Sequence, residues 1–437
     1  MPALLLSTLL ALSSNTSTLI EPPVPLSKVD VASGWKSYSG ASAKSLWKGY
    51  KQSAFPAQGW ILENNELKQA APAGGDLITT DQFTDFELIC DFKLDAKANS
   101  GIIWHASEKL DASWQSGPEY QLLEDASYAS DKLNVGQSCG AAYELYPPAA
   151  GKVIHPAGQW NNARVYLRNG VLQHWLNGVK LVDARIAGDD GKPTKEWQDK
   201  IAASKFKEYQ GFGLAPKGAI ALQDHGGGVS FRDIKIRDLS APLAGEIKLF
   251  NGKDMEGWEA ILPGRDGKPA GKMEDAWSVK DGVIICKGNP IGYIRTKADY
   301  KNFIIKLEWR FNPVTKQAGN SGVLVRMVGA DKVWPKSVEA QLESGSAGDF
   351  WNIEDVKMTT EKSRTNGRNT KHTHAAERPI GEWNEYEITV NRGDVILKVN
   401  GEELNRATGV EEVAGKICLQ SEGAEIHFRN IRLVPLD

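Results

Sequence analysis

The 437-residue sequence lacks the motifs that mark several large classes of enzyme. No Gly-x-Gly-x-x-Gly follows a predicted strand and no Gly-x-x-x-x-Gly-Lys-Ser/Thr occurs, so a nucleotide cofactor receives no support. His-Glu-x-x-His is also missing, which leaves zinc-protease chemistry without support. On these grounds we name no cofactor and assign no metal ligand.

An excess of one charge, paired cysteines and long apolar runs are also missing. The 52 basic and 55 acidic residues nearly cancel, so we expect no nucleic-acid partner. Four cysteines without a Cys-x-x-Cys spacing predict buried thiols rather than a zinc site or a shared disulfide framework. No apolar run reaches the ~18 residues that span a bilayer, so we expect no transmembrane span.

The N-terminus carries the most apolar segment. Met1–Leu12 resembles the hydrophobic region of a signal peptide, with Ala11-Leu12-Ser13 as the cleavage triplet, although no Lys or Arg precedes Lys28. The chain from there to residue 30 includes Glu21-Pro22-Pro23-Val24-Pro25, which predicts an extended linker. We therefore expect a periplasmic or secreted bacterial protein.

The chain repeats one pattern twice in the same order. The matching pairs are Asn99-Ser100-Gly101 with Asn320-Ser321-Gly322, Glu119-Tyr120-Gln121 with Glu339-Ala340-Gln341, Gly158–Asn161 with Gly381–Asn384, and Phe231–Ile234 with Phe428–Ile431. Repeats of roughly 200 residues are domains, because solenoid units are far shorter. We predict a signal peptide and linker over 1–30, a first domain over 31–240 and a second, diverged copy over 245–437.

Alternating apolar residues predict the fold. Every second residue of Phe86–Leu94 is apolar, and Phe303–Phe311 repeats the alternation, so each segment places one face on a core. Tight turns such as Asn169-Gly170 separate further short strands. Helical spacing occurs in Lys195–Phe206, within a stretch that the second copy lacks. The prediction is an all-β protein with a β-sandwich or jelly roll in each copy.

Positions at which the copies differ are candidates for chemistry. The first copy has Asp224-His225 before three glycines, where the second has Ser421-Glu422. A histidine titrates near neutrality and suits general acid–base work, although a solvent-exposed turn explains the same residues.

A shared polar pair is the second candidate. Glu119 and Gln121 lie two apart in a predicted strand, so both side chains point to one face, and Glu339 and Gln341 repeat the arrangement. A carboxylate and an amide on one face can hold a sugar by hydrogen bonds, and an ordinary polar outer face is the alternative.

Three residues of the first copy are weaker candidates for substrate binding. His174 shares an apolar face, where a hydrogen-bonded core histidine is the usual explanation. His105 suits a rim position, and Trp104 suits stacking on a sugar, although large aromatics are more often core.

His372-Thr373-His374, in the second copy, has the spacing to face a metal from one strand, but a polar loop explains it as well.

Taken together, these motifs resemble the 3-keto-disaccharide hydrolase family, long known only as a domain of unknown function. The residues that carry the resemblance are Asn99–Ile102, Gly117–Gln121, Gly158–Asn161, His174–Gly178, Ser204–Phe206, Leu222–Gly226 and Phe231–Ile234. The second copy, with Val333–Gln341 and Gly348–Trp351, is similar to a recurring variant of that family. The resemblance implies a concanavalin-like glucanase jelly roll in each copy and an exported carbohydrate-active protein.

The resemblance also implies a reaction. The ketone of a 3-keto-glycoside acidifies the hydrogen on C2, so a base can start β-elimination of the glycosidic oxygen, and water then completes a net hydrolysis. We expect His225 as the base, oriented by Asp224, with Glu119 as partner acid or alternate base. Gln121 would donate to the enolate oxygen or a hydroxyl, and a divalent cation could replace it as electrophile.

Two other functions remain open at this point. A non-catalytic glycan-binding protein is one, because jelly rolls are frequent lectin scaffolds and a fold does not confer catalysis. A conventional glycoside hydrolase with two carboxylates is the other, although the residue two beyond Glu119 is an amide. For the second copy, which lacks the Asp-His pair, we expect a binding or packing role.

Overall fold

A computed structural model describes residues 25–63, 65–71, 74–128, 133–264 and 270–437. The predicted signal-peptide region and most of the proline-rich linker lie outside these residues. None of the helices in the described ranges is long and apolar enough to cross a membrane.

Short strands dominate the chain. Those of the first half are β1 (Trp35–Ser37), β2 (Trp47–Gly49), β3 (Trp60–Glu63), β4 (Glu66–Gln69), β5 (Leu77–Thr79), β6 (Phe86–Leu94), β7 (Asn99–Ala106), β8 (Glu119–Leu123), β9 (Trp160–Arg168), β10 (Val171–Leu176), β11 (Val179–Arg185), β12 (Ala219–Leu222) and β13 (Val229–Asp238).

The second half continues the pattern. Its strands are β14 (Ile247–Lys248), β15 (Trp258–Ile261), β16 (Trp277–Lys280), β17 (Val283–Cys286), β18 (Gly292–Thr296), β19 (Phe303–Phe311), β20 (Gly322–Met327), β21 (Ser337–Gln341), β22 (Phe350–Ile353), β23 (Thr365–Asn366), β24 (Asn369–Thr370), β25 (Asn384–Asn391), β26 (Asp394–Val399), β27 (Glu402–Ala407), β28 (Lys416–Ser421) and β29 (Ile426–Pro435).

Helices are few and short. The described α-helices are α1 (Lys28–Ala32), α2 (Ala43–Leu46), α3 (Lys195–Ala203) and α4 (Met273–Ala276). Short 3₁₀ helices cover Gly40–Ser42, Ser113–Gln115, Asp125–Tyr128, Val135–Gln137, Lys205–Glu208 and Lys362–Arg364. The chain is thus all-β, as the alternating pattern predicts, and α3 lies where helical spacing was found.

The described chain divides into two compact units. The first holds Ser37–Ile236, and the second holds Leu26–Lys36 together with Arg237–Asp437. Helix α1 therefore belongs to the second unit, and it begins inside the stretch predicted to be an extended linker. Ser27 explains the difference, because it forms a capping box with Asp30 that the proline-rich composition concealed.

The first unit is a sandwich of two antiparallel sheets. One orders its neighbouring strands β11-β10-β9-β6-β13-β4-β3, and the other β2-β5-β12-β7-β8. Leu88 and Phe92 of β6 pack in one core cluster with Ile102 of β7 and Leu122 of β8. Each sheet therefore buries one face against the other, as in a jelly roll.

The second unit repeats this sandwich. Its sheets run β16-β17-β29-β19-β25-β26-β27 and β15-β18-β28-β20-β21-β22-β24-β23. Leu307 and Phe428 from the first sheet share a core with Val323 and Leu419 from the second. All four cysteines of the chain are free and buried, which confirms the prediction of buried thiols.

Backbone conformation explains one of the repeated motifs. Asp233 in β13 and Asn430 in β29 have φ values of 49° and 53°. Asp and Asn tolerate this left-handed conformation better than most residues. The Phe-Arg-Asp/Asn-Ile pattern therefore belongs to the scaffold rather than to the chemistry.

Candidate active site

The outer face of the five-stranded sheet of the first unit carries the polar candidates. In β8, Tyr120 and Leu122 point into the core, so Glu119 and Gln121 point the other way. The β7–β8 register pairs Gly101 with Gln121 and Ile103 with Glu119. The predicted pair of side chains therefore shares one face.

Glu119 is a buried carboxyl group held over a glycine. It is 7% exposed, and a Cβ atom on Gly101 would overlap its Oε1. Burial raises the pKa of Glu119 to about 8, the cation of Lys205 opposes this rise, and the carboxylate of Asp76 adds to it. At neutral pH the group is mostly protonated and can give up a proton.

Three amide oxygens around Glu119 have no hydrogen-bond partner among the described residues. They are Oδ1 of Asn99, Oε1 of Gln121 and Oε1 of Gln223. Gln121 donates its Nε2 to the carbonyl of Gln137 at 3.1 Å, which fixes the amide with its oxygen free. A buried acceptor without a hydrogen-bond partner is unfavourable, so these oxygens fit a ligand with many donors, such as a sugar with its hydroxyl groups.

These groups line a cavity of about 210 Å³. Its lining residues are Asn99, Trp114, Glu119, Gln121, Tyr143, Lys205, Phe206, Gln223 and His225. His225 is exposed at this cavity, so the structure brings the predicted histidine, carboxyl and glutamine together.

Lys205 is a cavity residue that the repeat comparison did not single out. Its Nζ lies 4.5 Å from the centroid of the Tyr143 ring and 3.5 Å from the Tyr143 hydroxyl. It comes from the stretch that the second copy lacks, and its neighbour Phe206 stacks on Phe212 with ring centroids 4.0 Å apart. The sequence contained a signal for Lys205, because a segment that is present in only one copy of a repeat is a candidate for residues that carry out chemistry.

Trp104 and Trp197 anchor that insertion. Trp197 in α3 stacks on Trp104 at 6.3 Å and on Tyr146 at 6.2 Å between ring centroids, and its indole donates to the Gly213 carbonyl at 2.9 Å. Trp104 is 1% exposed. It therefore supports the insertion from within the core and does not line the cavity, contrary to the substrate-binding role expected for it.

Asp224 has partners other than His225. Its Oδ1 accepts from Gln69 Nε2 at 2.7 Å and from the Gly226 backbone N–H at 3.2 Å. Within the described residues, no hydrogen bond joins it to the His225 ring. Its own backbone N–H donates to Asp76 Oδ1 at 2.9 Å. Burial raises the pKa of Asp76, and the hydrogen bonds from Ser113 and from the Asp224 backbone oppose that rise. Asp224 thus shapes the loop and does not orient the imidazole of His225, contrary to the role expected for it.

His105 and His174 are also removed from the cavity. The His105 ring spans the Ala215 and Thr84 carbonyls, at 2.9 Å each, in a residue with φ of 53°. His174 is fully buried, and burial lowers its pKa to about 4. Both are structural histidines in this arrangement, because the loops and core around them enclose the rings.

The second unit places Glu339 and Gln341 on the matching strand, β21. Glu339 is 5% exposed, and burial, followed by the charge of Glu422, raises its pKa to about 8. His372 and His374 each pair with a separate carboxylate, Asp349 at 2.6 Å and Glu402 at 2.8 Å. The two histidines therefore have different partners and do not converge.

Family comparison supports the sequence resemblance. The model of the 3-keto-alpha-glucoside-1,2-lyase-like domain matches residues 33–237 and again residues 245–434. The chain belongs to this family. Both copies of the repeat are thus copies of the family domain.

Individual relatives are similar to a single copy of the domain. The 3-keto-disaccharide hydrolase of Bacteroides thetaiotaomicron is 29% identical over 223 residues, which cover 44% of this chain and 74% of that protein. A crystal structure of a putative glycosyl hydrolase from Parabacteroides distasonis is 28% identical, with a TM-score of 0.44 over 49% of this chain and 99% of its own. A second from the same organism is 26% identical, with a TM-score of 0.37 over 47% and 99%.

Proposed function

We propose that the first unit cleaves 3-keto-glycosides by β-elimination followed by addition of water. The observation that carries this proposal is one cavity that holds an imidazole, a mostly protonated carboxyl group, a lysine and unpaired amide oxygens. Family membership supports the substrate class, because the related Bacteroides protein is a 3-keto-disaccharide hydrolase.

His225 acts first in this scheme. Its imidazole takes the proton from C2 of the sugar, and the electron pair of that C–H bond moves toward the C3 ketone oxygen. Lys205 supplies the positive charge that stabilises the oxyanion, since its ammonium group lines the same cavity. Gln121 is well suited to accept from a sugar hydroxyl, because its Oε1 has no partner among the described residues while its Nε2 donates to the Gln137 carbonyl.

Glu119 acts second. As the C3 ketone re-forms, the C1–O bond breaks, a C1=C2 double bond forms, and the Glu119 carboxyl protonates the leaving oxygen. Water then adds to C1 and gives one proton to the Glu119 carboxylate, while protonated His225 returns its proton to C2. The sum is hydrolysis of the glycosidic bond with both protons accounted for.

A two-carboxylate hydrolase receives less support from this site. Asp76 is the second acid near Glu119, but it accepts hydrogen bonds from the Ser113 hydroxyl and the Asp224 backbone N–H. Because both of these bonds are to groups of the protein, Asp76 is less suited to act on a substrate. A purely glycan-binding role leaves the imidazole of His225 and the ammonium group of Lys205, which the second unit lacks at this position, without a task.

Isotope incorporation tests the elimination route. Cleavage of a 3-keto-glucoside in D₂O places deuterium on C2 of the released keto sugar if C2 loses its proton during the reaction. Direct displacement at C1 leaves C2 unlabelled and would sink the proposal. The control is the released product alone in D₂O with Glu119→Gln protein, which measures exchange without turnover.

We also propose a periplasmic or secreted location, on the strength of the apolar Met1–Leu12 segment. Mass spectrometry of the protein from its native cells tests this proposal. A mature chain that begins near Ser13 agrees with it, and an intact Met1 contradicts it.

A further inference from the structure

The second unit has the same amide and carboxyl residues as the first site but has a glutamate where the first site has His225. Asn320, Glu339 and Gln420 occupy the positions of Asn99, Glu119 and Gln223 in the repeat, and Glu422 stands where the first copy has His225. The insertion that supplies Lys205 is missing from the second copy. The position thus has neither the imidazole nor the lysine of the proposed reaction.

Glu339 and Gln420 form the floor of this second position. Both Oε1 atoms lie over Gly322, where a Cβ atom would overlap them. Gln420 is 1% exposed, and its Oε1 lies with that of Glu339 over the same glycine. Its Oε1 has no hydrogen-bond partner in the described part of the chain, and the same is true of Asn320 Oδ1. Two buried acceptors therefore remain open next to a carboxyl group.

Glu422 lies beside this floor. Its backbone pairs with that of Asn320, and its charge contributes to the raised pKa of Glu339. Glu422 is itself partly buried, and burial raises its pKa. The two carboxyl groups are thus close enough to interact electrostatically.

An exposed indole borders the same carboxyl group. Trp334 is 42% exposed, and its Nε1 donates to Glu422 Oε1 at 3.1 Å. This bond fixes the indole edge beside the carboxyl group while much of the residue stays open to solvent. An apolar ring next to several acceptors matches the two faces of a pyranose, its C–H groups and its hydroxyls.

We propose that the second unit is a pyranoside-binding site, with the sugar stacked on Trp334 and its hydroxyls bound by Glu339, Glu422 and Gln420. The site holds its sugar without cleaving it. This inference stands apart from the proposed function, because it uses residues of the second unit alone.

A divalent cation is the rival occupant, and the observations favour a sugar. Among the described residues, no group of three or more His, Cys, Asp or Glu side chains is placed to hold a metal ion, and Glu422 Oε1 already accepts the indole N–H of Trp334. An exposed tryptophan adds nothing to a cation site, whereas it contributes directly to sugar binding.

Fluorine NMR can follow this site separately from the first one. The full chain, labelled with 5-fluorotryptophan, is titrated with maltose, cellobiose, lactose and xylobiose. Trp334→Phe and Trp114→Phe assign the resonances of the second and first sites. We expect at least one disaccharide to shift the Trp334 resonance saturably, and Glu422→Ala to weaken that binding by about tenfold or more.

Val314→Ala is the control, because Val314 is 88% exposed in the same unit and its backbone N–H donates to Asn312, which is not one of the proposed site residues. Thermal melting checks that each variant is folded. No shift of the Trp334 resonance with any of the four sugars overturns the proposal, as does binding that Glu422→Ala leaves unchanged. A shift produced by Ca²⁺ or Mn²⁺ and by no sugar also overturns it, in favour of a cation site. Loss of turnover in the first unit leaves the Trp334 signal as a separate readout.

Discussion

Glu119 lies directly over Gly101, on the neighbouring strand, with no room between them for even one additional carbon atom. The glycine is therefore part of the candidate active site, although it has no side chain. Its role is to let a carboxyl group lie against the sheet, where burial raises the pKa.

Gly101→Ala should displace the Glu119 carboxyl and lower kcat by about 10²-fold, since misplacement of a catalytic group by roughly 1 Å has this effect. Steady-state kinetics on a 3-keto-glucoside measure the change. Gly393→Ala is the control, because a Cβ there meets only ordinary contacts of 3.4 Å or more. Equal kcat values for the two variants would contradict the role given to Gly101.

The rate of cleavage should fall as the pH rises through about 8, because Glu119 then loses the proton that the proposed reaction transfers to the leaving oxygen. Profiles of kcat/KM on both sides of that pH measure the effect. In Glu119→Gln this alkaline limb should disappear along with most of the activity. An unchanged limb in the variant would assign it to another group.

Stability should also depend on the ionisation of Glu119. The folded-state pKa is raised from 4.5 to about 8, so the folded protein keeps a proton that the unfolded chain releases over this range. The stability of the wild type therefore falls as the pH rises from about 4.5 to about 8. Glu119→Gln removes this loss and should melt at a higher temperature than the wild type at pH 8, but not below pH 4.5. Thermal melts of both proteins across this range measure the difference, and parallel curves would contradict the raised pKa.

Lys205→Met should lower kcat by about 10²-fold through loss of the charge near the oxyanion. It should also move the alkaline limb to higher pH, because the lysine opposes the rise in the pKa of Glu119. Lys207→Met, an exposed lysine of the same 3₁₀ helix, is the control. A lower rate with an unmoved limb would indicate that Lys205 acts only through packing.

His105→Ala should destabilise the fold by roughly 1–3 kcal/mol, because it leaves the Thr84 and Ala215 carbonyls without the ring between them. KM should stay unchanged, since His105 does not line the cavity. Urea denaturation and kinetics together measure both effects. A raised KM at unchanged stability would restore the substrate-binding role first expected for this histidine.

Periodicity was sufficient to predict much of the fold. The alternation in Phe86–Leu94 and Phe303–Phe311 matches β6 and β19 at both ends. The pair Glu119 and Gln121 was predicted to share a face, and strand geometry alone guarantees that result. Comparison of the two copies added His225, because an exchanged residue stands out against a repeated scaffold.

Contacts between distant segments explain what the sequence did not reveal. Asp76 and Gln69 reach Asp224 from 148 and 155 residues away along the chain, and no local pattern indicates such pairings. His105 looks like a rim residue in the sequence, because nothing there shows that Thr84 and Ala215 close over it. Helix α1 begins with a single capping box, formed by Ser27 and Asp30. The proline-rich stretch just before it led us to predict an extended linker there instead of a helix.

Turnover of a 3-keto-glucoside beside the matching unoxidised glucoside, followed by release of the aglycone, tests the central claim most directly. The account predicts that only the keto compound is cleaved, because elimination needs the ketone to acidify C2. Cleavage of the plain glucoside at a comparable rate would contradict it and point to carboxylate catalysis at C1. Failure to cleave either compound would contradict it as well, and would leave a binding function for the first unit.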